Sequence, residues 1–100
     1  NEIKLPVEIK CQWHRKVWDA AIAQLATKYT VDWQAKGCGA YVVLWFGDVP
    51  GKQLPASPDG LERPQTPEEL RRMLKERLPE GKSSLIDVFV VDVSRPAAVT

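Results

Sequence analysis

The sequence predicts a small α/β domain built on a mainly parallel sheet with flanking helices. Three observations carry that prediction. Residues 7–12 alternate apolar and polar side chains, residues 40–47 are apolar throughout, and each run is followed by a helical stripe before a third apolar run at 85–93. Strands separated by helices favour parallel pairing through right-handed crossovers.

In the first run Ile3, Leu5, Val7, Ile9 and Cys11 alternate with Glu2, Lys4, Glu8 and Lys10. Pro6 has no N–H to give to a ladder, so the clean strand is expected from Val7 to Gln12. From about Arg15 to Tyr29 the period becomes helical, with Trp18, Ile22, Leu25 and Tyr29 on one stripe and Ala20, Ala21, Ala23 and Ala26 adding propensity. No good N-cap marks its start, and Gly37 and Gly39 punctuate the turn that follows.

The stretch AYVVLWFG at 40–47 is rich in β-branched and aromatic residues and reads as a strand covered on both faces, the usual state in a parallel sheet. Residues 47–66 form a long loop with Pro50, Pro55, Pro58 and Pro64, the expected place for substrate contacts. Thr66-Pro67-Glu68-Glu69 then supplies an N-cap, a proline at the first helical position and a capping-box glutamate. Leu70, Met73, Leu74 and Leu78 give that helix its stripe, Pro79-Glu80-Gly81 ends it, and LIDVFVVDV at 85–93 is the third strand. Trp18, Ile22, Leu25, Val42, Leu44 and Phe46 are expected in the core.

One hundred residues make one small domain, and 44% apolar with 27% charged residues is an ordinary globular composition. A net charge of +1 removes any bulk cationic pull toward nucleic acid, so a nucleic-acid surface has to come from a local cluster. Cys11 and Cys38 lack metal-site spacing, which argues against zinc and for reduced thiols in a cytoplasmic protein. No apolar run approaches the roughly 20 residues of a membrane helix, and no signal-peptide pattern opens the chain. The chain opens almost inside a strand, and three strands are few for such a sheet. Both features suggest the C-terminal part of a larger domain whose N-terminal elements are missing.

The dipeptide-spaced pair Glu-x-Lys occurs three times, at Glu2/Lys4, Glu8/Lys10 and Glu80/Lys82. The first and last fall at the terminus and in a helix-ending turn, where both pairs are most simply solvated. Glu8 and Lys10 project to one face of a strand expected to be central, where a charge is costly unless paired or metal-bound. On an edge strand the same pair would be an ordinary surface feature. The strand runs directly into His14, Arg15 and Lys16, at the mouth of the next helix, where a phosphate is favoured. Those three residues could equally just cover the first turn. Gln24 sits near the margin of the apolar stripe, either as plain surface or turned back toward the strand end.

The run VEIK, the amphipathic helix carrying QLATKY and the stretch GAYVVLWF together resemble the core of the PD-(D/E)xK, or restriction-endonuclease-like, nuclease superfamily. The similarity is nearest to nuclease-like domains attached to larger bacterial proteins and spans residues 5–47, with the later helix and strand as compatible extensions. It implies endonuclease-type hydrolysis of DNA with Mg²⁺ or Mn²⁺. In that scheme Glu8 and the Ile9 carbonyl ligate the metal, and Lys10 positions the attacking water and stabilises the transition state. Gln24 orients the site, while His14, Arg15 and Lys16 contact the DNA backbone. The remainder of a parent polypeptide is an implied partner, a homodimer is compatible, and no membrane is.

Two departures stand out. Tyr29 follows Gln24 by five residues where the exonuclease branch has four. The family's first acidic ligand, an aspartate on a preceding strand, is absent from the seven residues before Glu8, which offer only Glu2; Asp19 and Asp32 lie beyond the motif. Two rival readings therefore stay open: a catalytically silent module of the same fold that binds nucleic acid or a protein, and a plain α/β interaction domain with Glu8 and Lys10 on its surface.

Overall fold

The computed structural model describes residues 7–22, 38–79 and 86–94. They form strands β1 (Val7–Cys11), β2 (Gly39–Trp45) and β3 (Ile86–Asp92), with helix α1 (Pro67–Glu76) between the last two. The three strands are parallel in the order β1-β2-β3, so the small parallel α/β sheet expected from the sequence is present.

The order corrects one expectation. Among the described residues β2 is the central strand and β1 lies at the sheet edge. The physical reason is in the sequences. The seven residues of β2 carry no charge and can hold a ladder on both sides, while β1 follows Pro6 and carries Glu8 and Lys10.

Pairing in register places Glu8, Tyr41 and Val88 in one row and Lys10, Val43 and Val90 in the next, all on one face. That face is the packed one. Tyr41, Val43, Ile86 and Val88 are fully buried there against Leu70, Met73 and Leu74 of α1 and against Val17, Trp18, Ala20 and Ala21. The opposite face was expected to be covered as well, but among the described residues it is largely exposed apart from Ala40. Val7, Ile9, Phe89 and Val91 are 44–57% exposed, and Val42 and Leu44 are only partly buried. Trp18 is buried as expected, Ile22 and Phe46 are partly buried, and Leu25 lies outside the described residues. An unbroken apolar run has no period from which to read which alternate residues face the helix. Here those are Tyr41 and Val43.

Helix α1 begins as the sequence requires. Thr66 is the N-cap, its hydroxyl oxygen accepting the Glu69 N–H at 3.1 Å, and the Glu69 carboxylate accepts the Gln65 N–H at 3.2 Å. The helix ends at Glu76, three residues before Pro79, with Arg77 as its C-cap. Two long cations tie it to β3. Arg71 Nε donates to the Val88 carbonyl at 2.7 Å and Lys75 Nζ to the Ile86 carbonyl at 2.9 Å. Four helical residues rise about 6 Å and two strand residues about 6.6 Å, so this pair of bonds matches an antiparallel helix lying along the strand.

The helix expected from about Arg15 does not begin there. In the segment after β1, residues 15–19 are turns, helical backbone starts at Ala20, and residues 23–29 lie outside the described residues. The Val17 N–H bonds the His14 carbonyl and the Ala20 N–H the Lys16 carbonyl. Two side-chain bonds fix this segment. Tyr41 donates its hydroxyl to the Val17 carbonyl at 2.6 Å, and Trp18 Nε1 donates to the Pro55 carbonyl at 2.8 Å. Arg77 closes the arrangement, donating from Nε to the Trp18 carbonyl at 3.1 Å and pairing with both Asp19 and Asp59.

Candidate functional site

Two-residue alternation on β1 sends Glu8, Lys10 and the residue that ends the row, Gln12, toward the helix-covered side. Lys10 Nζ lies 3.1 Å from Glu8 Oε1, with side-chain exposures of 22% and 18%. The pair is therefore neither deeply buried nor in bulk solvent, although β1 is an edge strand. Packing beside Tyr41 and Val43 removes most water from both groups, and each charge compensates the other. Ile9 projects to the opposite face, with 57% of its surface exposed.

Glu8 also leaves a mark on its neighbour. The Tyr41 phenol is pushed well above its ordinary pKa of 10.0, first by burial and then by the negative charges of Glu8 and Asp19. Both carboxylates are thus within electrostatic range of one hydroxyl. Asp19 is already engaged by Arg77, whose own pKa is lowered by burial but raised more strongly by its bonds to Asp59 and Asp19.

At the end of β1, Arg15 and Lys16 are exposed, and His14 Nδ1 accepts the Lys16 N–H at 3.0 Å. The expected cationic cluster is thus placed at the carboxyl end of the strand, with His14 partly used as a turn-former. Beside it Trp13 packs on Phe46, ring centroids 4.8 Å apart, and Lys52 Nζ lies 4.5 Å from the Trp13 ring centre. Gln24 lies outside the described residues, as do Glu2, Tyr29 and Asp32.

Mg²⁺ prefers oxygen ligands and commonly binds through one or two carboxylates together with water and substrate phosphate. Glu8 supplies one such carboxylate, already paired with the Lys10 ammonium, which is itself no metal ligand. Among the described residues no three or more His, Cys, Asp or Glu side chains gather as a metal cage, and no helix is long and apolar enough to cross a membrane.

Sequence reasoning passed over Gln12. It is 2% exposed and its amide is saturated: Nε2 donates to the carbonyls of Gly47 at 2.7 Å and Lys52 at 3.0 Å, while Oε1 accepts from Phe46 N at 2.5 Å and Gly47 N at 3.1 Å. Gly47 has a φ of +80°, which suits glycine at the bend where β2 leaves the sheet. Gln12 thereby fixes one wall of a cavity of about 350 Å³ at the carboxyl ends of β1 and β2, facing Trp45, Asp48, Leu54, Arg63 and Gln65. A single glutamine in a strand-ending turn gives no periodic signal. Only its position, two residues past Lys10 on the same row, could have marked it.

No family model, no curated protein and no solved structure matches this chain.

Proposed function

We propose that the chain is a nuclease-like domain of the PD-(D/E)xK type that hydrolyses DNA phosphodiesters, with Glu8 and Lys10 as the working pair. The observation that supports this most is the pair itself. Two opposite charges are held 3.1 Å apart on the packed side of a parallel sheet, only about a fifth exposed, where an unmet charge is expensive. On an edge strand such a pair also guards against further strand pairing, so its half-covered position rather than its presence is what favours a site.

In this reading Lys10 positions the attacking water and hydrogen-bonds the phosphate oxygens as negative charge develops, and Glu8 holds that ammonium in place until substrate arrives. Mg²⁺ or Mn²⁺ bound at Glu8 would supply Lewis-acid polarisation of the phosphate. His14, Arg15 and Lys16 hold the DNA backbone, and Gln24 orients the site. A restriction-endonuclease-like core is part of the same proposal.

A second reading, the catalytically silent module, is favoured by one specific observation. Glu8 is already paired with Lys10, and Asp19, the other carboxylate near Tyr41, is paired with Arg77. The deciding experiment is plasmid cleavage in Mn²⁺ by the chain and by its Lys10→Ala variant, alongside calorimetric titration of Mn²⁺ into wild type and Glu8→Ala. Cleavage lost in Lys10→Ala and Mn²⁺ binding lost in Glu8→Ala support the nuclease. Absence of both cleavage and Mn²⁺ binding in the wild type leaves the silent module.

A further inference from the structure

The two edges of the described sheet are finished differently. In a ladder, alternate residues of a strand turn their N–H and C=O groups to opposite sides. The Val93 N–H bonds the Trp45 carbonyl, so Asp87, Phe89 and Val91 also turn their backbone groups toward β2, and those of Ile86 and Val88 face outward. That outer edge is closed. Arg71 Nε takes the Val88 carbonyl and Lys75 Nζ takes the Ile86 carbonyl.

The β1 edge has no such cover. The Gln12 N–H bonds the Leu44 carbonyl, so Glu8 and Lys10 turn their backbone groups toward β2, while those of Val7, Ile9 and Cys11 face outward. Among the described residues nothing bonds the N–H or carbonyl of Val7 or Ile9, which are 50% and 57% exposed. The Cys11 carbonyl accepts the His14 N–H and keeps a second lone pair.

Charges on an edge strand discourage pairing with an arbitrary strand, and in VEIKC they leave one pairing open. Outward groups have to meet outward groups, so an antiparallel copy of β1 is centred on a residue. Centred on Glu8 or on Lys10, that residue faces itself, like charge on like charge. Centred on Ile9, the whole strand is paired, and Glu8 meets the partner's Lys10 while Lys10 meets the partner's Glu8. Both are non-hydrogen-bonded positions, where facing side chains come closest. Ile9 then meets Ile9, and Val7 meets Cys11, at the hydrogen-bonded positions, which uses the outward backbone groups. We propose that β1 pairs antiparallel with β1 of a second copy of this chain, about a twofold axis through Ile9, joining two three-stranded sheets into one. The inference draws on strand geometry and charge order and not on the nuclease reading. A five-residue strand is about 17 Å long, so the contact belongs to the small, reversible class.

Sedimentation velocity from about 10 μM to about 1 mM tests it, on wild type, Ile9→Pro, Glu8→Lys and the double variant Glu8→Lys/Lys10→Glu. Circular dichroism verifies that each is folded. Wild type is expected to dimerise with a Kd of about 300 μM or tighter. Ile9→Pro removes an outward N–H and leaves the β1–β2 ladder intact, so it should stay folded and weaken the dimer at least about tenfold. Glu8→Lys sets ammonium against ammonium across the twofold and should weaken it at least about tenfold as well. Reversing both charges restores the match and should return the Kd to within about threefold of wild type. The reversed pair keeps the pairing but moves the carboxylate and ammonium of the nuclease reading, so dimer formation and DNA cleavage are read separately. A wild type still monomeric at about 1 mM overturns the inference. So does a folded Ile9→Pro variant that dimerises as wild type does, or a charge reversal no tighter than Glu8→Lys alone.

Discussion

Replacing Gln12 with alanine removes a buried side chain that ties the end of β1 to the connection after β2. Four bonds are lost together: the N–H groups of Phe46 and Gly47 lose their acceptor, and the carbonyls of Gly47 and Lys52 lose their donor. A buried polar group left unmet costs about 1–3 kcal/mol, and carbonyls tolerate it better than N–H groups. Water entering from the adjoining cavity recovers part of the loss, so the net cost should be about 2–4 kcal/mol. In a domain of this size even the lower figure lowers the midpoint of thermal unfolding by about 8 °C or more. Gln12→Glu should be at least as damaging, because a carboxylate keeps the acceptor but turns repulsion on the two carbonyls. The assay is urea unfolding followed by tryptophan fluorescence, with m compared between variants to confirm a change in stability alone. A Gln12→Ala variant within about 0.5 kcal/mol of wild type would refute the view that this amide organises the strand ends.

Other perturbations probe the remaining supports. Arg77→Ala breaks the link among Trp18, Asp19 and Asp59 and should cost about 2–4 kcal/mol in urea unfolding; Arg77→Lys should recover less than half, because an ammonium cannot form the fork. Leu70→Ala, at a fully buried site, should cost about 2–5 kcal/mol, while Phe89→Ala on the open face should cost less than about 1 kcal/mol; equal costs would contradict the assignment of the packed face. The folded pKa of Tyr41 stands above the ordinary 10.0, so its contribution to stability is fully present below that pH. It falls as pH rises past 10.0, where the unfolded chain ionises first. Unfolding free energies measured across the alkaline range should therefore decline in wild type more steeply than in Tyr41→Phe.

How much of this was legible in the sequence differs from element to element. Helix α1 was fully specified locally, since Thr66, Pro67 and Glu69 act within one turn and Leu70, Met73 and Leu74 keep the helical period. The parallel α/β arrangement followed from the order of the periodic runs. The placement of Glu8 and Lys10 side by side followed from strand alternation alone.

Three matters could not be read locally, because each depends on which distant segments meet. Strand order is a pairing choice, so the sequence could not place β1 at the edge of the described sheet. Which face of β2 is packed depends on where α1 and the segment Val17–Ala21 settle, and an apolar run has no period to reveal it. The roles of Gln12 and Arg77 rest on partners 35, 40, 58 and 18 residues away in sequence, joined only by the closed fold. The sequence by itself determined the three strands, helix α1 and the charged row on β1, since those are set by residues within a turn or two of each other. The tertiary structure alone decided the edge, the open face and the cavity, since these exist only where separate segments come together.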